Sequence, residues 1–210
     1  VLEIGSGSGA LGDLLMKEGA QYTGLEPTPV CHAALIERYP ALKDRVKNSY
    51  LEQAGFSQGS FDLIVMNDTL EHIPGPVEFL SGLKRFLVED GRLHIEVPSE
   101  ALIALKGSLR GMFGMYGGYP TNPEHISLFT KRSLGRALAA AGLTSGALFQ
   151  VTVWGDRTKL KIALHGALSS VRYGGKLDTM VGLASFFFKI TKLDLLLQQG
   201  LIVAQAHKLT

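Results

Sequence analysis

The first twelve residues, VLEIGSGSGALG, restrict the fold more than any other stretch of the chain. Strand-forming residues surround Glu3, and glycines follow at alternate positions, Gly5, Gly7 and Gly9. Glycine lets the backbone adopt positive φ and lets a ligand approach the main chain closely. The run Ala10–Glu18 is typical of a helix. A strand, a glycine turn and a helix N-terminus in this order predict a site for an anion or a polar ligand, because free backbone N–H groups point towards it.

The second predicted strand, QYTGLE, ends on Glu26, twenty-one residues after Gly5. A carboxylate at that place is suited to accept hydrogen bonds from both hydroxyls of a ribose. Two cofactors with an adenosine half fit this arrangement. The dinucleotide pattern G-x-G-x-x-A is satisfied at Gly5, Gly7 and Ala10, and the competing pattern, acid-x-G-x-G-x-G, is satisfied over residues 3–9. The turn alone therefore leaves NAD and S-adenosylmethionine open, together with a tight turn that binds no ligand.

Length, charge and cysteine content exclude several classes of protein. A length of 210 residues is enough for one α/β domain with an insertion, and a net charge of +2 predicts no nucleic-acid partner. The single cysteine, Cys31, cannot form an internal disulfide, and no Cys/His spacing indicates zinc, so no metal site is predicted. These features favour a reducing, cytoplasmic setting. Because Val1 already belongs to the first strand, we expect residues to be missing before it.

Strand-like and helix-like segments alternate along the chain without an internal repeat. Strands are predicted at residues 1–4, 21–26, 45–49, 61–67, 92–97, 147–154 and 201–208. Helices are predicted at residues 10–18, 30–39, 75–91 and 130–143, the last capped by Thr130. The alternation predicts an α/β fold with a seven-stranded, mostly parallel sheet and helices on both faces. Ligands bind such sheets at the carboxyl ends of the strands.

Residues 155–200 carry no recognised motif and separate the sixth predicted strand from the seventh. Their pattern predicts a helical insertion that covers the substrate site, within a single domain of residues 1–210. Residues 180–203 are strongly apolar but are interrupted by Lys189, Lys192 and Asp194. We expect a buried or interfacial helix followed by a strand there, with a membrane surface or a second subunit as alternative contacts.

The segments that decide between the two cofactors lie further along the chain. They read FDLIVMNDTLEHIPGPVEFLSGLKRFLVEDGRLHIEVP and, later, PEHISLFTKRSLGRALAAAGL. Together with VLEIGSGSG and Glu26, they resemble the class I S-adenosylmethionine-dependent methyltransferases that carry the motif LEH. The resemblance covers about residues 1–154, with one departure at Asp90, where that family has a second glycine. It implies the Rossmann-like fold of that class and S-adenosylmethionine as the cofactor.

The resemblance also implies which residues bind the cofactor. The three glycines would lie under the cofactor, and Glu3 would support the turn. Glu26, which ends the second strand, would accept hydrogen bonds from the ribose hydroxyls. The pair after the third strand would lie at the adenine edge, and the pair that follows the fourth strand would border the sulfonium. The set is Glu3, Gly5, Gly7, Gly9, Glu26, Asn48, Ser49, Asn67 and Asp68. An acid that caps the next helix is the alternative interpretation of Glu26.

Two histidines have motifs that place them at the ligand end of the sheet. They are His72 in NDTLEHIP and His125 in PEHISLFT. Either would serve as the catalytic proton acceptor for a hydroxyl, because an imidazole titrates in the useful range. The alternatives are a side chain that caps the next helix for His72 and a hydrogen bond that orders a loop for His125.

The resulting prediction is an enzyme that transfers a methyl group to an oxygen or nitrogen of a small molecule, with a sugar or glycan-type compound as the candidate acceptor. The resemblance extends to enzymes that act on sugars of glycans or natural products and to quinone methyltransferases. A non-catalytic protein that binds S-adenosylmethionine, or a scaffold, is the alternative from another class. An NAD-dependent oxidoreductase is disfavoured, because the chain offers no second segment with a hydride-handling acid or base.

Overall fold

The computed structural model describes residues 1–99, 124–154 and 198–208. Most of the predicted insertion at residues 155–200, and of the apolar segment at residues 180–203, therefore lies outside the described residues. The chain divides into two compact units. The larger comprises Val1–Val97, Glu124–Phe149 and Ile202–Thr210, and the other comprises Pro98–Pro123 and Gln150–Leu201.

The sheet has seven strands in the order β3-β2-β1-β4-β5-β7-β6. They are β1 (Leu2–Ile4), β2 (Thr23–Leu25), β3 (Val46–Lys47), β4 (Phe61–Asn67), β5 (Leu87–Pro98), β6 (Leu143–Trp154) and β7 (Gln198–Lys208). Parallel pairing joins β1 to β2 and β4, β2 to β3, and β4 to β5. Strand order reverses between β1 and β4, and ligands of such sheets bind at the carboxyl ends of the strands next to this reversal.

Four α-helices lie in the described part of the chain. They are α1 (Ala10–Lys17), α2 (Pro29–Arg38), α3 (Pro76–Leu83) and α4 (Lys131–Ala140). The predicted cap of α4 is confirmed, because the Thr130 side chain accepts the backbone N–H of Ser133 while the Ser133 hydroxyl accepts that of Thr130. Within residues 1–99, 124–154 and 198–208, no helix is both long and apolar enough to cross a bilayer.

Alternation along β1 separates the two faces of the sheet. Successive side chains of a strand point to opposite faces, so Leu2 and Ile4 lie on one face and Glu3 on the other. Leu2 and Ile4 belong to the main core, which also contains the buried leucines of α3 and α4. Glu3 bonds Tyr22, which belongs to a second core cluster that α1 and α2 cover. The prediction of helices on both faces is therefore confirmed.

The third predicted helix ends earlier than its pattern indicates. We expected a helix over residues 75–91, but α3 ends at Leu83, a 3₁₀ turn covers Lys84–Phe86, and β5 begins at Leu87. Leu87 pairs with Phe61 of β4, and the next pair is Leu63 with Arg92, so residues 88–91 bulge out of the ladder. Pairing with a strand distant in sequence overrides the local helical periodicity here.

The buried side of α1 is not the one that its leucines mark. Helical spacing puts Leu11, Leu14 and Leu15 on one face, but Leu14 is 54% exposed. Gly12 is the buried residue of α1, and a Cβ there would lie 2.5 Å from Cζ of Tyr22. The tyrosine ring therefore occupies the space that a larger side chain would take.

Candidate active site

The glycine turn between β1 and α1 has positive φ at all three glycines, +80° at Gly5, +48° at Gly7 and +78° at Gly9. A Cβ at Gly5 would lie 2.5 Å from Oγ1 of Thr69, and one at Gly9 would lie 2.8 Å from Cγ of Leu35. Both positions are closed by packing. The nearest atom to a Cβ at Gly7 is a backbone oxygen at 3.9 Å, so Gly7 leaves room for a ligand.

Glu26 joins the glycine turn to the start of α2. Its carboxyl group is buried, with Oε2 accepting the backbone N–H of Gly7 and Oε1 accepting that of Thr28, each at 2.9 Å. Thr28, not Glu26, is the N-cap residue of α2, and the Glu26 carboxylate bonds the backbone N–H of that cap residue. Asn48, the residue after β3, also bonds Glu26, because its side-chain amide donates to the Glu26 carbonyl at 2.8 Å. Each carboxylate oxygen keeps a second lone pair for a ligand hydroxyl.

Glu3 supports the turn from beneath. The Tyr22 hydroxyl donates to its carboxylate and lies 3.1 Å from the hydroxyl of Ser6, which belongs to the turn. Burial raises the pKa of Glu3 to about 7. The predicted supporting role fits this geometry, whereas a direct contact with a ligand does not follow from it.

A cavity of about 860 Å³ opens beside the turn at the carboxyl ends of the strands. This volume lies in the range of small-molecule and cofactor pockets, about 300–1,000 Å³. Of the predicted site residues, Gly5, Ser49 and His72 are among those that line it. The remaining lining is largely apolar and includes Ile4, Leu25, Pro27, Leu51, Ile73 and Phe79.

The exit of β4 lies against the glycine turn. The hydroxyl of Thr69 is within donating distance of the carbonyl oxygens of Ile4, at 3.0 Å, and Asn67, at 2.9 Å. Asp68 adopts φ +45°, a left-handed conformation that is uncommon outside glycine and concentrates at functional sites. Burial, followed by the nearby Glu96, raises the pKa of Asp68. Asn67 Oδ1 is buried without a hydrogen-bond partner in the described part of the chain.

The two predicted histidines meet in space although they lie 53 positions apart in sequence. The ring centroids of His72 and His125 are 4.9 Å apart in an edge-to-face arrangement. The backbone carbonyl of Glu71 accepts the N–H groups of Ile126 and Ser127, both at 2.9 Å, and so holds the segment after His125 against the 3₁₀ turn Leu70–His72. His72 lines the cavity, whereas His125 lies outside its lining.

Sequence reasoning did not select Glu71 as a site residue. Its side chain is 2% exposed, and Oε1 lies 4.0 Å from Nε2 of both His72 and His125. Burial, followed by the charge of Asp68, raises the pKa of Glu71 to about 7. The signal that could have identified it is an acid directly before His72 at the exit of a buried strand.

The methyltransferase domain family matches residues 1–145 of this chain. The chain belongs to that family. A curated relative is the ubiquinone biosynthesis O-methyltransferase of Xanthomonas euvesicatoria, which is 27% identical over 170 residues, 76% of this chain and 70% of the relative. The predicted class of enzyme is thereby confirmed, and the choice between NAD and S-adenosylmethionine is resolved in favour of S-adenosylmethionine.

Solved methyltransferases share the fold of this methyltransferase. A SAM-dependent methyltransferase from Aquifex aeolicus has a TM-score of 0.54 at 18% identity, covering 71% of this chain and 74% of that one. A phosphoethanolamine N-methyltransferase from Haemonchus contortus, solved with S-adenosylhomocysteine, has a TM-score of 0.61 at 18% identity, covering 100% of this chain and 48% of that one. The predicted Rossmann-like class I fold is confirmed.

Proposed function

We propose that this methyltransferase transfers a methyl group to a hydroxyl oxygen of a small molecule, with His72 as the proton acceptor. The observation that carries the proposal is the orientation of the His72 ring. Its Nδ1 lies 3.0 Å from the carbonyl oxygen of Glu124, and a carbonyl can only accept, so Nδ1 carries the proton of the neutral ring. Nε2 then keeps its lone pair. Because His72 lines the cavity, a hydroxyl compound bound there would lie beside the residue that carries this lone pair.

The glycine turn fits S-adenosylmethionine. Bound S-adenosylmethionine supplies the methyl group on a positively charged sulfonium. Gly7 allows close approach of the main chain, and the free lone pairs of the buried Glu26 carboxylate suit a ribose diol. We assign Ser49, in the cavity wall, and its neighbour Asn48 to the adenine side. Asn67 and Asp68, at the exit of β4, are assigned to the sulfonium side.

A ring hydroxyl of a quinone precursor is the acceptor class we propose. Two observations support it. The curated relatives are named for ubiquinone biosynthesis, and the cavity wall next to His72 carries the apolar side chains of Ile73, Pro74 and Phe79. An apolar wall stabilises an aromatic ring more than it stabilises a sugar. The sugar acceptor expected from the sequence has no counterpart in the names of these relatives.

The test is transfer of a radiolabelled methyl group from S-adenosylmethionine to two pools, one of catechols and hydroquinones and one of sugars. We expect an O-methylated ring product. His72→Ala should lower kcat by about 10²–10⁴-fold while S-adenosylhomocysteine affinity measured by calorimetry stays unchanged. Label on a nitrogen or carbon, or a His72→Ala variant with normal turnover, would contradict the proposal. His125→Ala should lower kcat less than His72→Ala does, because His125 lies outside the cavity lining.

A further inference from the structure

Glu71 is a buried carboxyl group that faces two imidazole rings. Its Oε1 lies 4.0 Å from Nε2 of His72 and 4.0 Å from Nε2 of His125. Neither carboxyl oxygen has a hydrogen-bond partner in another residue that the structure describes. Burying a carboxyl group in this way is costly unless a charged or proton-bearing partner compensates for it.

The backbone around the carboxyl group fixes this arrangement. The Glu71 carbonyl receives the N–H groups of Ile126 and Ser127, and the Glu124 carbonyl faces Nδ1 of His72 at 3.0 Å. The Glu71–His72 turn and the segment that carries His125 are thus tied to each other from both sides. Because Nδ1 of His72 faces the carbonyl, Nε2 is the atom available to an acceptor hydroxyl and to the carboxyl group.

We propose that Glu71 is a positioning residue. It aligns the His72 ring for proton uptake and stabilises the imidazolium that results, and its carboxyl group lets His125 share the positive charge. This inference rests on the proposed function. In the step, the O–H bond of the acceptor breaks and its proton moves to Nε2 of His72. The oxygen forms a bond to the methyl carbon while the bond from that carbon to sulfur breaks, leaving neutral S-adenosylhomocysteine. The positive charge thus ends on the imidazole, facing Glu71.

The charge environment suits this role. Burial and the nearby Asp68 raise the pKa of Glu71 to about 7, whereas His72 lowers it. The charges of Glu96 in β5 and of both histidines also act on the carboxyl group of Asp68. Glu96 in turn pairs with His94 at 3.0 Å. At 4.0 Å a neutral imidazole makes no hydrogen bond to the carboxylate, whereas an imidazolium beside this buried carboxylate is attracted to it. The carboxyl group therefore acts on the charged ring more than on the neutral one.

The test compares Glu71→Gln, which keeps the shape and removes the charge, with Glu71→Asp, which keeps the charge on a shorter side chain. Glu89→Gln, an exposed change in β5, is the matched control. We expect Glu71→Gln to lower kcat at least about tenfold, which is a smaller loss than removal of the base His72 causes, and to change the KM for the acceptor much less. In the plot of log kcat against pH, the acid limb of this variant should move to lower pH. Glu71→Asp should recover part of the lost kcat. S-adenosylhomocysteine affinity should stay within about twofold of wild type.

Nuclear magnetic resonance of the histidine ring nitrogens in the S-adenosylhomocysteine complex gives a readout that needs no acceptor. Glu71→Gln should lower the pH at which the rings of His72 and His125 titrate, and Glu89→Gln should not. If that shift is seen but wild type methylates no hydroxyl, the proposed function fails while the coupling stands. An unchanged titration and pH profile would overturn the inference. So would activity that a chelator abolishes and Mg²⁺ or Zn²⁺ restores, since a cation would then occupy the cluster.

Discussion

The carboxylate of Glu26 accepts the backbone N–H of Gly7 at 2.9 Å, which places an acid at the end of β2 directly against the open position of the glycine turn. The same carboxylate accepts the N–H of Thr28 at the start of α2. One side chain therefore connects the glycine turn to the residue that caps α2. A change at Glu26 should affect the shape of the turn and the affinity for the cofactor together.

Glu26→Gln should weaken S-adenosylhomocysteine binding by about 1–3 kcal/mol, because the ribose hydroxyls lose a charged acceptor. Isothermal calorimetry measures the effect, and thermal unfolding separates it from a loss of fold. Glu37→Gln, an exposed change on α2, should leave the affinity unchanged. If Glu26→Gln and Glu37→Gln bound S-adenosylhomocysteine equally well, Glu26 would not contribute to cofactor binding.

Gly7→Ala should reduce cofactor affinity more than it reduces stability. The left-handed φ of +48° costs an alanine about 1–2 kcal/mol, but outside the adjacent residues no described atom lies closer than 3.9 Å to the added Cβ. Gly19→Ala is the matched control, since Gly19 has φ +82° and open space but lies at the far end of α1. The two variants should unfold at similar urea concentrations, and only Gly7→Ala should bind S-adenosylhomocysteine weakly. Equal binding by both would mean that the ligand does not approach Gly7.

The free energy of unfolding should fall as pH rises from about 5 to about 7. Burial raises the pKa of Glu3 from the usual 4.5 to about 7, so between these values the native state holds a proton that the unfolded chain has lost. Each such group lowers stability by at most about 1.4 kcal/mol per pH unit as pH rises. Glu71 acts with the same sign. Urea titrations at several pH values measure the slope, which Glu3→Gln should reduce and Glu89→Gln should not. A stability that rises with pH over this range would contradict the assignment.

Thr130→Ala should destabilise the protein by about 0.5–2 kcal/mol, because α4 loses the reciprocal hydrogen bonds between Thr130 and Ser133. Thr130→Ser keeps a hydroxyl at the cap and should retain most of the stability. Chemical denaturation measures both. S-adenosylhomocysteine affinity should be the same in the two variants, since the cap lies outside the cavity lining, and a selective loss of affinity in Thr130→Ala would tie α4 to the cofactor site.

The sequence alone determined the seven strands and the glycine turn to which we assign the cofactor. These features depend on short-range properties, namely the alternation of strands and helices, the φ freedom of Gly5, Gly7 and Gly9, and an acid at the end of β2. It also indicated the cap of α4, because Thr130 and Ser133 bond within one helical turn. The roles assigned to the cofactor-binding residues and to His72 and His125 remain predictions.

Tertiary structure decided what depends on residues distant in sequence. Helix α3 stops at Leu83 because Leu87 pairs with Phe61 of β4, and no periodicity within residues 75–91 contains that pairing. The burial of Glu71 between His72 and His125 likewise required two segments to meet. An acid next to a histidine is ordinarily exposed, and its ionisation changes only when folding removes water from it and brings a second charged group near. The sequence specified the residue types of this cluster, whereas their distances and burial came from the packing of the 124–127 segment on the exit of β4.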